Sequence, residues 1–172
     1  MDQQKSDISI RITQLSLGVH AYHFEVQPSD LGLNENFRQQ FSVDIELERS
    51  NRHFTIKAEI VAPASFTCDR CLREFDQTIE CTFKLVYQFD ENGAGNIPAE
   101  ELRIIHPETP YINLTEDVRE MMLLTVPLKL LCREECLGLC PQCGKNKNIE
   151  PCSCSTLEPD DRWDGLKRFL NQ

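Results

Sequence analysis

This chain has little positive charge. Eighteen Lys and Arg stand against 28 Asp and Glu, a formal net charge of −10 over 172 residues. Broad electrostatic wrapping of a nucleic-acid backbone needs a basic face, so that mode of binding is disfavoured, while a local basic patch and a basic protein partner stay open. No apolar run approaches the roughly 20 residues of a membrane helix, and the start MDQQKSDISI lacks a basic-then-apolar signal region. The expectation is a cytoplasmic protein without membrane association. Histidine is also scarce: His20, His23, His53 and His106 are scattered along the chain. No H-x-E, G-x-S-x-G, P-loop or dinucleotide fingerprint is present, and no carboxylate pair stands out from the acidic background. The expectation is no enzyme and no small-molecule substrate.

What the chain does have is cysteine. Eight of its nine cysteines fall into short-spaced pairs: Cys68/Cys71, Cys132/Cys136, Cys140/Cys143 and Cys152/Cys154. In a reducing compartment such pairs mean metal or redox chemistry rather than structural disulfides. Eight thiols divide into two sets of four, and four thiolates are what a structural zinc ion takes. The expected cofactor is Zn2+, two ions per chain. Each Zn(Cys)4 site adds about −2, because four thiolates outweigh one divalent cation.

The first ninety residues have the period of two that marks half-buried strands. Ile8, Ile10 and Ile12 alternate with polar residues. Phe41, Val43, Ile45 and Leu47 do the same; after the turn residues Ser50-Asn51-Arg52 the pattern resumes with Phe54, Ile56, Ala58 and Ile60. This predicts a hairpin with one face on a core. His20 and His23 are three apart in a strand-like stretch, so they point to opposite faces. A further strand spans about residues 78–89, with Ile79, Cys81, Phe83, Leu85, Tyr87 and Phe89 on one side. Cys81 is in phase with that apolar face, and a free cysteine behaves there as a small hydrophobe. It is read as core, leaving eight cysteines for metal.

Residues 90–112 are rich in Gly, Pro and acids and read as a loop, with one short strand at residues 102–105. The acidity peaks here: residues 90–120 hold eight acidic side chains against Arg103 and Arg119, the pattern of a solvated surface. A helix follows near residues 113–126. Asn113 is placed to cap it, with Glu116 three residues on, and Leu114, Val118, Met121 and Leu124/Thr125 form its expected buried stripe. Pro127 stops it. Residues 128–154 hold six cysteines in 27 positions, with few large apolar side chains beyond Leu137, Leu139 and Ile149. Such a segment needs metal to fold. A last short helix fits residues 159–170. The predicted fold is α+β. An antiparallel β-rich body with one central helix occupies residues 1–127. A Cys-rich zinc-binding segment with a short C-terminal helix occupies residues 128–172.

The pairing of the pairs is open at this level. Cys140-Pro-Gln-Cys143-Gly144 is a zinc knuckle, and Cys152/Cys154 lies eight residues on. These four form one set, and Cys68/Cys71 with Cys132/Cys136 then form a long-range clip across sixty residues. The rival division joins Cys132, Cys136, Cys140 and Cys143, leaving Cys68/Cys71 with Cys152/Cys154. A redox dithiol at Cys68/Cys71 is the third reading. It is disfavoured because redox C-x-x-C motifs sit where a helix N-terminus lowers the thiol pKa, whereas this one is flanked by strand patterns.

The run Cys132-x3-Cys136-Leu-Gly138-Leu-Cys140-Pro-Gln-Cys143-Gly144-Lys-Asn146-Lys-Asn148, then Cys152-x-Cys154 and an Asp/Arg-containing terminal segment, resembles the YceD family of bacterial large ribosomal RNA subunit accumulation proteins. The resemblance covers about residues 40–170 and includes the upstream Cys68-Asp-Arg-Cys71. It implies a role in accumulation of 23S ribosomal RNA, hence large-subunit assembly or rRNA processing. The implied partners are a ribosomal protein, rRNA or an rRNA-processing factor. The expected function is a non-enzymatic zinc-binding factor in ribosome biogenesis. The alternatives are a dithiol redox or redox-sensing protein and a zinc-ribbon nucleic-acid-binding accessory module. Arg70, Arg73, Lys145, Lys147, Lys167 and Arg168 are the candidate rRNA contacts.

Overall fold

The structure, a computed structural model, describes residues 7–89 and 97–154. The C-terminal helix expected at residues 159–170 lies outside the described residues. Seven strands and, among the described residues, one helix follow in the order β1 (Ser9–Arg11), β2 (Gly18–Val26), β3 (Phe41–Arg49), β4 (His53–Thr67), β5 (Glu74–Gln88), β6 (Leu102–Ile104), β7 (Tyr111–Asn113) and α1 (Thr115–Thr125). Strands β2 to β6 form a five-stranded sheet in chain order, and β1 pairs with β7 in a separate two-stranded sheet.

The hairpin read from the sequence is β3–β4. Its two-residue loop is closed by Ser50 N donating to the His53 carbonyl at 2.9 Å. Alternation places Val43, Ile45 and Leu47 of β3 beside Ile60, Ala58 and Ile56 of β4, all on the buried face. A one-residue slip would turn every one of these side chains to solvent, so the pattern itself fixes the register. Cys81 is buried in β5, in phase with Ile79 and Leu85 as expected. The two histidines of β2 do point to opposite faces. His20 is opposite core residue Leu47, and His23 is opposite Asp44, to which its Nδ1 is bonded at 2.6 Å on the solvent face.

Two expectations need correction. The sheet is mixed rather than antiparallel throughout: β6 joins β5 in parallel, through Val86–Leu102 to Gln88–Ile104. A three-residue strand carries no period that reveals its direction. The helix also differs in detail. Leu114, Val118 and Met122 are fully buried, whereas Leu124 is 77% exposed. The true stripe is i, i+4, i+8, which brings Met122 rather than Met121 onto the core line and turns Leu124 away from it. Nor does Asn113 cap the helix. It belongs to β7, paired with Ser9, and its Oδ1 accepts from Thr115 N at 2.9 Å. Leu114 stands at the N-cap without a side-chain bond. The helix ends at Thr125 with Val126 extended, as the residue before a proline must avoid the helical region.

The β1–β7 pair fixes α1. Ile8 accepts from Leu114 N at 2.9 Å and donates from its own N to Thr115 Oγ1 at 3.1 Å. Ile8, Ile10, Ile112 and the helix stripe thus close over the inner face of the sheet in one apolar core.

Strands β4 and β5, fifteen residues each, are paired along their whole length from His53–Gln88 to Thr67–Glu74. The turn joining them, residues 68–73, contains Cys68 and Cys71. The longest hairpin of the fold therefore delivers the first cysteine pair at its tip. Phe66, packed edge-on to Phe37 and tilted against Phe75, continues the core almost to that tip.

Candidate metal centres

The Cys68–Cys71 turn is built by its own backbone. Leu72 N donates to the Cys68 carbonyl and Cys68 N to the Arg73 carbonyl, both at 2.9 Å, while Leu72 takes φ +56°. The segment after the helix docks on this turn through Asp69 and Leu130. Asp69 N donates to the Leu130 carbonyl at 2.8 Å, and Leu130 N donates to Asp69 Oδ2 at 2.7 Å. This brings Cys132 and Cys136 to the turn. Cys68 Sγ lies 3.8 Å from Cys136 Sγ, and Cys71 Sγ lies 3.7 Å from Cys132 Sγ.

All four sulfurs lie within 4.8 Å of one another, and Cys140, Cys143, Cys152 and Cys154 form a second such group. Of the two divisions left open by spacing, the fold makes the local-plus-long-range one. Four sulfurs around one tetrahedral ion at about 2.3 Å would be about 3.8 Å apart, close to the separations found in the first cluster. Both donor sets are all-thiolate, and either could hold a tetrahedral thiophilic ion. All nine cysteines are free of disulfides.

The electrostatics of the thiols follow from the turns. Burial penalises the Cys68 thiolate. The amide groups of Cys132, Cys71 and Arg70 more than offset that, and the thiol is lowered to about 6. At the second knuckle the amides of Cys143 and Gln142 bring Cys140 to about 6. Others go the opposite way. Burial and the neighbouring sulfurs raise Cys132 to about 11, and hydrogen bonding to Cys143 together with burial raises Cys154 to about 12. Burial opposes the Cys136 thiolate too, but the Gly138 amide and the Asn148 side chain lower that thiol. The first cluster thus favours thiolates at Cys68 and Cys136 and the second at Cys140, while Cys132 and Cys154 resist further like charge. A divalent cation removes that conflict, since thiolates are the form that binds metal.

The two clusters differ in setting. Cys68, Cys71 and Cys136 are buried, with Phe75, Leu131 and Leu139 packed against them. Cys143 is exposed, and Cys152 and Cys154 are half-buried. Leu137 and Ile149, two of the few large apolar residues of this segment, are 64% and 74% exposed. Among the described residues, no apolar cluster forms around the second set of cysteines.

Sequence reasoning missed the polar side chains that tie the clusters together. Arg70, expected as a candidate rRNA contact, turns its Nη1 inward to the carbonyls of Cys136 at 2.9 Å and Glu134 at 3.2 Å. Asn148 Nδ2 donates to Cys136 Sγ at 3.4 Å. The Cys-rich run identifies the segment, but nothing in the spacing of Asn148 signals a sulfur contact twelve residues back. Lys145 pairs with Glu150 at 3.2 Å. Lys167 and Arg168 lie outside the described residues.

Several known proteins are similar to this chain. An uncharacterised protein of Mycobacterium leprae is 24% identical over 123 residues, covering 72% of this chain and 54% of that protein. The chain therefore spans little more than half the length of that mycobacterial relative. Protein YlbN of Bacillus subtilis, also uncharacterised, is 26% identical over 145 residues, 84% of this chain and 80% of its own. A chloroplastic protein of Arabidopsis thaliana, named large ribosomal RNA subunit accumulation protein YCED homolog 1, is 29% identical over 66 residues, 38% of this chain and 21% of its own. No solved structure matches. The family model described as large ribosomal RNA subunit accumulation protein YceD matches residues 56–170, a span that contains all eight clustered cysteines, and the chain belongs to the YceD family.

Proposed function

We propose that this chain is a non-enzymatic zinc-binding factor of ribosome biogenesis, acting in the cytoplasm to support accumulation of 23S rRNA and assembly of the large subunit. The observation that carries the reading is the family match over residues 56–170, whose description names large ribosomal RNA subunit accumulation. Zinc is supported by the two all-cysteine clusters, whose sulfurs lie within 4.8 Å of one another. A structural zinc site takes four protein ligands, whereas a catalytic one keeps a position for water, and four thiolates at each cluster leave no such position. When bound, the ions would fix the chain crossings at residues 68–71 with 132–136 and at residues 140–143 with 152–154. A charge of −10 favours a basic partner, which suits a ribosomal protein better than bare RNA.

The test is a pull-down of the tagged full chain from cells, with metal analysis and 23S rRNA quantified in a deletion strain complemented by each variant. The expected outcome is two zinc ions per chain, co-purification of a large-subunit component, and restored 23S rRNA. Cys68→Ser and Cys140→Ser should each lose one ion. Zinc-free protein with a reducible low-pKa thiol would instead establish the redox alternative. Salt-dependent binding to rRNA fragments without any ribosomal protein would establish the nucleic-acid module.

A further inference from the structure

We infer that Asn148 couples the two cysteine clusters, so that an ion in the Cys140–Cys154 cluster strengthens metal binding at the Cys68–Cys136 cluster. The inference rests on the proposal that both clusters hold zinc. It adds that the two sites are not independent.

Asn148 belongs to one cluster by sequence and to the other by contact. It lies between Cys143 and Cys152, on the loop whose ends the second cluster pins. Its amide is fully engaged. Oδ1 accepts from Leu137 N at 2.9 Å and from Arg133 Nη2 at 2.6 Å. Nδ2 donates to Asn146 Oδ1 at 2.8 Å and to Cys136 Sγ at 3.4 Å. With two N–H donors facing Oδ1, the amide has one sensible orientation, and that orientation aims N–H at the sulfur. A hydrogen bond to a thiolate is charge-assisted and draws charge off a ligand set that carries excess negative charge. Groups that bond to metal ligands typically govern affinity by about 10–100-fold.

The loop carrying Asn148 is otherwise held by local polar bonds rather than by packing, among them Cys140 N to the Lys145 carbonyl at 2.8 Å, Glu150 N to the Asn146 carbonyl at 3.2 Å and the Lys145–Glu150 ion pair at 3.2 Å. Asn148 N bonds to Asn146 Oδ1 at 2.9 Å, Lys147 N to the Gly138 carbonyl at 3.0 Å, and Ile149 N to the Asn146 carbonyl at 3.0 Å, while the Ile149 side chain is mostly exposed. The outgoing half of this small hairpin is residues 137–140, bridged at Leu139 to Asn146. That half is set by the first cluster: Leu139 N donates to the Arg70 carbonyl at 3.0 Å, and Arg70 holds the Cys136 carbonyl. Each cluster therefore fixes one side of the hairpin that places Asn148. Linkage makes the coupling reciprocal.

The experiment is a chelator competition on the full chain, reading zinc affinity of each site, with metal content measured in parallel. Four proteins are compared: wild type, Cys140→Ser, Asn148→Asp and the double variant. Asn148→Asp keeps the acceptor for Leu137 N and Arg133 but replaces the N–H donor with an oxygen, so the contacts to Cys136 Sγ and to Asn146 Oδ1 are lost while the backbone bonds of the hairpin remain. The expected result is a drop of about 10–100-fold at the Cys68–Cys136 site in Cys140→Ser. A drop of similar size is expected in Asn148→Asp, with no further drop when the two are combined. Fewer than two zinc ions in the wild type would defeat the underlying zinc proposal. Two ions in the wild type, with unchanged affinity at the Cys68–Cys136 site in Cys140→Ser or fully additive losses in the double variant, would overturn the coupling.

Discussion

The two cysteine clusters share ligand chemistry and differ in what stands behind them. The Cys68–Cys136 cluster sits on the tip of the β4–β5 hairpin, fifteen paired residues deep, with Phe66 and Phe75 bridging it to the apolar core. Its sulfurs come from segments about sixty residues apart, so a metal here joins parts of the chain that the sheet and helix have already brought near. The Cys140–Cys154 cluster draws all its sulfurs from fifteen consecutive residues, numbered 140 to 154, and among the described residues no apolar cluster forms around it. The lesson is that one ligand set can serve as a rivet in one place and as the whole foundation in another. Hydrophobic burial decides which.

Removing metal is the harshest test of this difference. Extended chelation should abolish hydrogen-exchange protection across residues 137–154 while residues 41–88 keep theirs, because structural zinc contributes about 10–16 kcal/mol to small coreless modules and the sheet has its own core. Loss of the sheet signal at the same chelator concentration would break the comparison. Acid should act in the same direction. The Cys68 and Cys140 thiols are lowered, so their thiolates contribute above the ordinary thiol range, and that contribution is lost as pH falls through about 6.

Phe66→Ala probes the core side. It should destabilise the body by about 3–5 kcal/mol in urea unfolding, since it empties a fully buried aromatic site between Phe37 and Phe75. A loss below about 1 kcal/mol would mean that the hairpin tip does not lean on the core.

Smaller effects should come from the two glycines of the Cys-rich run. Gly138 has φ +70° and Gly144 has φ +72°, so both sit where side chains are strained. A Cβ at Gly138 would lie 3.0 Å from the Arg70 carbonyl oxygen, whereas one at Gly144 would meet nothing within 4 Å. Gly144→Ala should cost about 1–2 kcal/mol from backbone conformation alone. Gly138→Ala should cost more and also weaken metal binding at the Cys68–Cys136 cluster, because Arg70 carries the contact to Cys136. Equal effects in parallel chelator titrations would show that the close approach of Gly138 to Arg70 is unimportant.

The smallest effect lies on the outer face of the sheet. The hydrogen bond and charge of Asp44 raise the exposed His23 imidazole above its ordinary value. A raised folded pKa means that any stabilisation is present below pH 6.5 and fades as pH rises through the shifted value. Asp44→Asn should bring the His23 titration back toward 6.5 by NMR without measurable change in zinc content; an unshifted titration would show that the pair does not persist in solution.

Much of the body was legible because burial on one face writes itself as alternation. Val43, Ile45 and Leu47 could only be one face of a strand, and Cys81 could be assigned to the core for the same reason. Strand β6 was legible in place, as a short strand at residues 102–105, but not in direction, and β7 was not read as a strand, since three residues carry no usable period. Helix α1 was readable in place but not in phase, because Met121 and Met122 are equally apolar and only packing against the sheet selects one. In the candidate site, residue type and spacing named the eight sulfurs. The contacts of Arg70 and Asn148 were invisible, because a side-chain bond across 66 or 12 residues leaves no mark on local pattern.

By itself, then, the sequence determined the ligand chemistry, the strand hairpin and the resemblance to a ribosomal RNA accumulation family, since these rest on residue identity and on short-range order. It left open which cysteines meet. The tertiary structure decided that, because the partner of Cys68 is chosen by where the β4–β5 hairpin ends and where the chain leaving α1 returns. Position along a folded path is a property of the whole core, and no local spacing encodes it.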